Sequence, residues 1–231
     1  MGTVKTRRPM MMRLGLLAAL AVVAVLVVIV VTTPQKTSSA GGSGGGTPAV
    51  LSQLDGIPQS GITLGSPRAP VTIVEFADLQ CPFCAEYERN VLPTLIDRYV
   101  RTGKVRLQLR LLRFLGPDSD RLARVAAAAS TKDRMWQFVA LAYDRQGAEN
   151  SGYATQDFVN NLVADAGLGK LDAGAAAERQ VRQSEQAART LGVESTPSFL
   201  IGRTGGRMER FQPSDLTPDA FVPRIEQELS R

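Results

Sequence analysis

Val71-Thr72-Ile73-Val74-Glu75-Phe76-Ala77-Asp78-Leu79-Gln80-Cys81-Pro82-Phe83-Cys84 joins two kinds of periodicity. Residues 71–76 are β-branched and largely apolar on both faces, the pattern of a central strand covered on both sides. From Pro82 to about Arg101 the spacing turns helical. Phe83, Tyr87, Val91, Leu95 and Tyr99 recur every four residues, and Leu92 and Ile96 widen the stripe. Pro93 should kink that helix. The chain's only two cysteines therefore sit where a buried strand hands over to a helix. Pro82 lacks an N–H and suits the first helical position, so the Cys81 sulfur should lie at the helix N-terminus, where free N–H groups favour a thiolate. Cys84, one turn further in, should be shielded.

Two thiols at this spacing can close into a disulfide and reopen by exchange, Cys81 attacking and Cys84 resolving. Metal chemistry has few ligands to work with. The chain has no histidine and no third cysteine, so a zinc or iron–sulfur site would need carboxylates or a second chain. A purely structural disulfide remains an alternative, although it would close too short a loop to constrain much of the unfolded chain. Glu75 is costly as a lone carboxylate in a buried strand. It is either an acid whose pKa burial has raised, or a solvent-facing residue, or one paired with Arg106 or Arg110.

Working outward, Val105, Leu107, Leu109 and Leu111 alternate with Arg106, Gln108 and Arg110, a half-exposed strand. Residues 117–192 carry several helical stripes, among them Met135, Phe138, Val139 and Tyr143, with Trp136 as core. Ala175 to Leu191 is alanine-rich, with Glu178–Arg182 and Glu185–Arg189 at i,i+4 spacing on a solvated face. Pro197 to Ile201 is a short apolar strand, which Thr204-Gly205-Gly206 turns into a hairpin with Arg207 to Phe211. A last helix runs to about Ser230, with Thr217 and Pro218 at its start and Pro223 bending or separating its first turns. The order is strand, helix, strand, helical block, strand, strand, helix.

Glu75 to Cys84 resembles the active-site strand and helix start of DsbA-like oxidoreductases, and Ser195-Thr196-Pro197-Ser198-Phe199 resembles that family's cis-proline loop. The likeness covers about residues 60–230. It implies an α/β, thioredoxin-like fold with a helical insertion at about 117–192, and a redox disulfide between Cys81 and Cys84. It also implies a proton-relay role for Glu75, and a cis peptide at Thr196–Pro197 that brings the Thr196 backbone beside Cys81 to pair with a substrate strand. No cofactor and no metal are implied. The implied partners are reduced or unfolded exported proteins and a membrane oxidase, quinone- or vitamin K-linked, that reoxidises the pair. Where the best-known oxidase of that family has histidine, this chain has Phe83, which adds no positive charge and offers an apolar contact for clients. The favoured reading is an oxidoreductase that introduces disulfides into exported proteins through Cys81-Pro82-Phe83-Cys84; Phe83 keeps a reductase or isomerase on the same fold as the alternative, and a non-catalytic binding module is the remaining one.

The front of the chain sets the compartment. Leu14 to Val31 is an unbroken run of apolar residues and glycine, long enough to cross a bilayer. Lys5, Arg7, Arg8 and Arg13 precede it without an acid, which places the N-terminus in the cytoplasm. The expected organisation is a cytoplasmic segment (1–13), a single transmembrane anchor (14–33), a flexible Gly/Ser linker (34–49) and an extracytoplasmic domain (50–231). A cleaved signal peptide is the rival for the anchor, with Ser38-Ser39-Ala40 as its cleavage site. The formal charge of +5 comes from this front segment. Positions 37–231 hold 22 basic and 22 acidic residues, so no nucleic-acid footprint is expected.

Overall fold

The structure is a computed structural model that describes residues 49–231, together with Gly2. Apart from Gly2 and Ala49, the expected cytoplasmic segment, anchor and linker lie outside the described residues; Ala49, expected as the linker's last residue, opens a short helix. Among the described residues no helix is long and apolar enough to cross a membrane.

A six-stranded sheet has the order β1-β2-β4-β3-β5-β6. Its strands are β1 (Gln59–Ser60), β2 (Thr63–Leu64), β3 (Val71–Ala77), β4 (Val105–Leu111), β5 (Ser198–Arg203) and β6 (Glu209–Phe211). The short helix α1 (Ala49–Ser52) precedes them. Strand β3 is central, parallel to β4 and antiparallel to β5, and every residue of it is buried, as its apolar run requires. Strand β4 alternates between buried and half-buried positions. The β5–β6 hairpin pairs Phe199 with Phe211, with β6 starting at Glu209.

Alternation along β3 divides its side chains between two cores. Val71, Ile73 and Ala77 belong to the larger one, with helix α2 (Pro82–Asn90) and helix α8 (Pro218–Leu229), whereas Val74 and Phe76 pack with Ala188 and Leu200 on the other side. Glu75 shares the parity of Val71 and Ile73 and so faces α2. Four rings tie α2, the sheet and α8 together. Tyr87, Phe199, Phe211 and Phe221 stack with centroids 4.9–5.4 Å apart, and such pairs contribute about 0.5–1.5 kcal/mol each beyond the area they bury.

The helix expected from Pro82 to Arg101 is divided in three. Helix α2 ends at Asn90, α3 (Leu92–Leu95) carries Pro93 at its start, and a π-helical stretch follows at Ile96–Val100. Pro93 has no N–H to continue the α2 ladder, so the chain restarts at Val91. Between β4 and β5 lies the helical block: α4 (Pro117–Ser130), α5 (Met135–Asp144), α6 (Gln156–Asp165) and α7 (Ala175–Thr190). Met135 and Trp136 are core there, as expected. Helix α8 runs as one element through Pro223, so of the bent or separate first turns expected there, separation does not occur. Pro223, the sixth of its twelve residues, removes a single ladder bond.

The charge pairs of α7 are also rearranged. Glu178 does meet Arg182, but Glu185 pairs with Arg113 at 2.8 Å instead of with Arg189. Arg113 also reaches Asp120 and Glu178, so one guanidinium joins α4 and α7 through three carboxylates.

Candidate active site

The β3–α2 junction is held by its neighbours. Asp78, fully buried, accepts hydrogen bonds from the backbone N–H groups of Gln80, Phe114 and Leu115 and from the Ser119 hydroxyl, which fixes the junction to the start of α4. Three carbonyls of the junction are gripped from the helical block. The Tyr143 hydroxyl donates to Asp78, the Tyr153 hydroxyl to Leu79, and the Gln146 amide to Leu79 and Cys81, all at 3.0–3.2 Å. Gln80 donates to Ser119 and accepts from the Asn150 N–H.

Cys81 is the N-cap of α2, with Pro82 following in the first turn. Both cysteines are free thiols and both are buried. The Cys81 Sγ lies 3.3 Å from the Thr196 carbonyl oxygen, and the Thr196–Pro197 peptide is cis. A hydrogen bond from the Cys84 side chain, with further ones from the Thr196 side chain and the Cys84 and Phe83 N–H groups, lowers the Cys81 pKa from 9.0 to about 6 against the opposing effect of burial. Burial pushes the Cys84 thiol the other way, well above its ordinary value, with the Cys81 and Glu75 charges adding to it. The two thiols are thus sharply unequal.

Glu75 lies beneath the pair, paired across the sheet with Leu109 and Phe199. Its Oε1 is sealed from solvent and has no hydrogen-bond partner. Neither arginine considered for it is engaged there; Arg106 donates to Thr72 instead. Burial, then the charges of Glu88 and Cys81, raise its pKa well above 4.5. Burial thus favours the protonated carboxyl, the form that can hand a proton to a neighbouring thiolate.

Phe83 is not part of the buried stripe in which its spacing placed it. It is 60 % exposed, at the second position of α2. It stands between two clefts, one of about 620 Å³ that includes Cys81, Phe114 and Thr196, and one of about 250 Å³ along Pro197 and Phe199. The structure therefore gathers Cys81, Cys84, Glu75, Phe83, Thr196 and Pro197 in one place.

Residue spacing alone did not reveal Asp78, whose partners come from distant segments, or Glu88. The latter is a buried carboxyl whose pKa burial raises to about 8. One signal was legible: Glu88 follows Cys84 by four residues and so shares the inward face of α2. Among the described residues no group of acids and cysteines is placed to hold a metal ion.

A protein-family profile described as thioredoxin matches residues 58–211. A probable disulfide bond formation protein D from Bacillus anthracis is 31 % identical over 149 residues, covering 60 % of this chain and 68 % of that protein. Among solved structures, that of Wolbachia pipientis alpha-DsbA1 covers 73 % of this chain and 90 % of its own, with a TM-score of 0.63 and 21 % identity. Oxidised BdbD from Bacillus subtilis covers 80 % and 97 %, with a TM-score of 0.61 and 21 % identity. At that identity the two structures show a shared fold, helical insertion included.

Proposed function

Because this chain belongs to the thioredoxin family and is a thiol–disulfide oxidoreductase, we propose that its Cys81–Cys84 disulfide is donated to reduced exported proteins. The observation that carries the direction is the inequality of the two thiols. A Cys81 thiolate with a pKa of about 6 stabilises the reduced pair, and a stabilised reduced form makes the disulfide a stronger oxidant. Hydrogen bonds supply this without the positive charge that histidine would bring at position 83.

In the proposed cycle a client thiolate attacks Cys81 Sγ. The Cys81–Cys84 bond breaks and the electron pair leaves on Cys84, whose burial disfavours the anion. The protonated Glu75 carboxyl supplies the proton. A second client thiolate then attacks the client sulfur of the mixed disulfide and expels Cys81 as thiolate, its more stable form. Phe83 and the Thr196–Pro197 loop hold the client segment beside the sulfur. A membrane oxidase reoxidises the pair, and residues 14–33 anchor the domain on the extracytoplasmic side. The apolar run Leu14–Val31 and the basic residues before it support that placement.

The test is the reduction potential measured against glutathione. An oxidase should lie above about −180 mV, and a value near thioredoxin's, about −270 mV, would overturn the direction in favour of a reductase. Cys81→Ser should abolish exchange, and Cys84→Ser, incubated with a client disulfide for its Cys81 thiolate to attack, should accumulate mixed disulfides. Turnover retained by Cys81→Ser would sink the mechanism.

A further inference from the structure

The two clefts that meet at Phe83 differ from a neutral apolar surface in their charge. The larger is walled by Phe83, Phe114 and Leu115, and its charged lining residues are Glu149 and Glu194. The smaller has Asp215. No lysine or arginine lines either cleft among the described residues. Glu149 and Glu194 are exposed, and neither is in an ion pair among those residues. Asp215 accepts hydrogen bonds from the N–H and hydroxyl of Thr217, which keep it ionised. The cation nearest in sequence to the cleft wall, Arg113 beside Phe114, is committed to Asp120, Glu178 and Glu185. The cleft that holds the reactive sulfur therefore has apolar walls and two carboxylates without an ion-pair partner among the described residues, and a third carboxylate, Asp215, lies in the adjoining cleft.

We propose that these clefts select cysteine-bearing segments carrying lysine or arginine within a few residues of the reactive cysteine, with Glu149 and Glu194 as the specificity-determining residues. The inference rests on the oxidase reading of Cys81 and deepens it by naming the client chemistry. An apolar client residue fills the space between Phe83 and Phe114 while the neighbouring cation meets the carboxylates. An acidic segment in the same position is repelled before its thiolate reaches Cys81, so the discrimination acts on the rate of productive encounter.

The test uses the full-length oxidised protein and three dithiol peptides that differ only in having Lys, Gln or Glu beside the first cysteine. In each reaction one peptide disulfide forms and the Cys81–Cys84 bond is reduced; of the two protons the peptide thiols lose, one ends on Cys84 and the other passes to solvent, because Cys81 leaves as thiolate. Dithiothreitol, which is uncharged, reports the intrinsic reactivity of Cys81. The Lys peptide should be oxidised about three- to tenfold faster than the Glu peptide at low ionic strength, as two exposed charge pairs allow. The ratio should approach one near 1 M salt, where screening reaches within about 3 Å. Glu149→Gln with Glu194→Gln should collapse the ratio, and Glu149→Lys with Glu194→Lys should invert it, with dithiothreitol still oxidised in each. A Lys-to-Glu ratio near one at low salt, or one untouched by these substitutions, overturns the inference. Failure to oxidise dithiothreitol would instead remove the oxidase reading beneath it.

Discussion

Replacing Cys84 by alanine should raise the Cys81 pKa, and the size of the rise follows from the geometry. The largest influence holding Cys81 at about 6 is the hydrogen bond from the Cys84 side chain, ahead of the Thr196 side chain and the Phe83 and Cys84 N–H groups. A hydrogen bond to a charged group contributes about 1.5–3 kcal/mol. At about 1.36 kcal/mol per pKa unit, that is about one to two units, which places Cys84→Ala near pKa 7–8. At pH 7 the thiolate fraction should fall from about nine-tenths to between a half and a tenth. Cys84→Ser is the control, since its hydroxyl can still donate to the sulfur and should hold Cys81 close to its original value. Cys81 and Cys84 are the only cysteines, so in both variants the ultraviolet thiolate absorbance reports Cys81 alone, and pH-dependent alkylation gives an independent curve. If Cys84→Ala titrates within about 0.3 unit of the wild-type curve, or Cys84→Ser rises as far as Cys84→Ala, the side-chain bond is not the cause. The Thr196 side chain and the Cys84 and Phe83 N–H groups would then carry the effect.

Three further outcomes follow from the same electrostatics. Glu88 keeps its proton in the folded state up to about 8 while the unfolded chain releases it near 4.5, so the folded state binds more protons across that window and stability falls as pH rises through it. Glu88→Gln should flatten that slope, gaining on the order of 5 kcal/mol relative to the wild type above pH 8, and chemical denaturation at several pH values would show an unchanged slope if the assignment is wrong. Glu75→Gln should slow client oxidation about 10²-fold at neutral pH, the usual scale for losing a general acid, while the Cys81 titration stays in place; equal rates from pH 5 to 8 would remove Glu75 from the proton path. Arg113→Ala should cost about 2–3 kcal/mol by leaving Asp120, Glu178 and Glu185 facing one another, and the loss should shrink at high salt in thermal melts.

What the sequence disclosed and what it withheld divide along a physical line. Strands β3 and β4 and the start of α2 with its two cysteines are written in short-range patterns, because burial on two faces, alternation and an N1 proline each leave a local trace. Glu75 was conspicuous for the same reason, as a charge in a run that otherwise excluded charge. Asp78 and Arg113 left no such trace. Each looks like an ordinary loop or surface residue until partners 36 to 72 positions away arrive. The i,i+4 spacing of Glu185 and Arg189 suggested a local pair, and a partner from another element won it. Phe83 was misplaced in the buried stripe because periodicity records which face of a helix a residue is on, and not whether anything covers that end of it.

The grip of the helical block on the β3–α2 junction has a consequence for how this protein can vary. Tyr143, Tyr153 and Gln146 hold the carbonyls of Asp78, Leu79 and Cys81, and a carbonyl is the same whatever side chain its residue bears. Position 79 is therefore free, as far as this scaffold is concerned, to accept any residue that fits its buried site, while the three holders are not interchangeable with residues lacking a donor. A saturation library scored for Cys81 reactivity should then show an asymmetry. Leu79 would tolerate other apolar residues, and intolerance would appear more than sixty residues downstream, at side chains that never touch the sulfur.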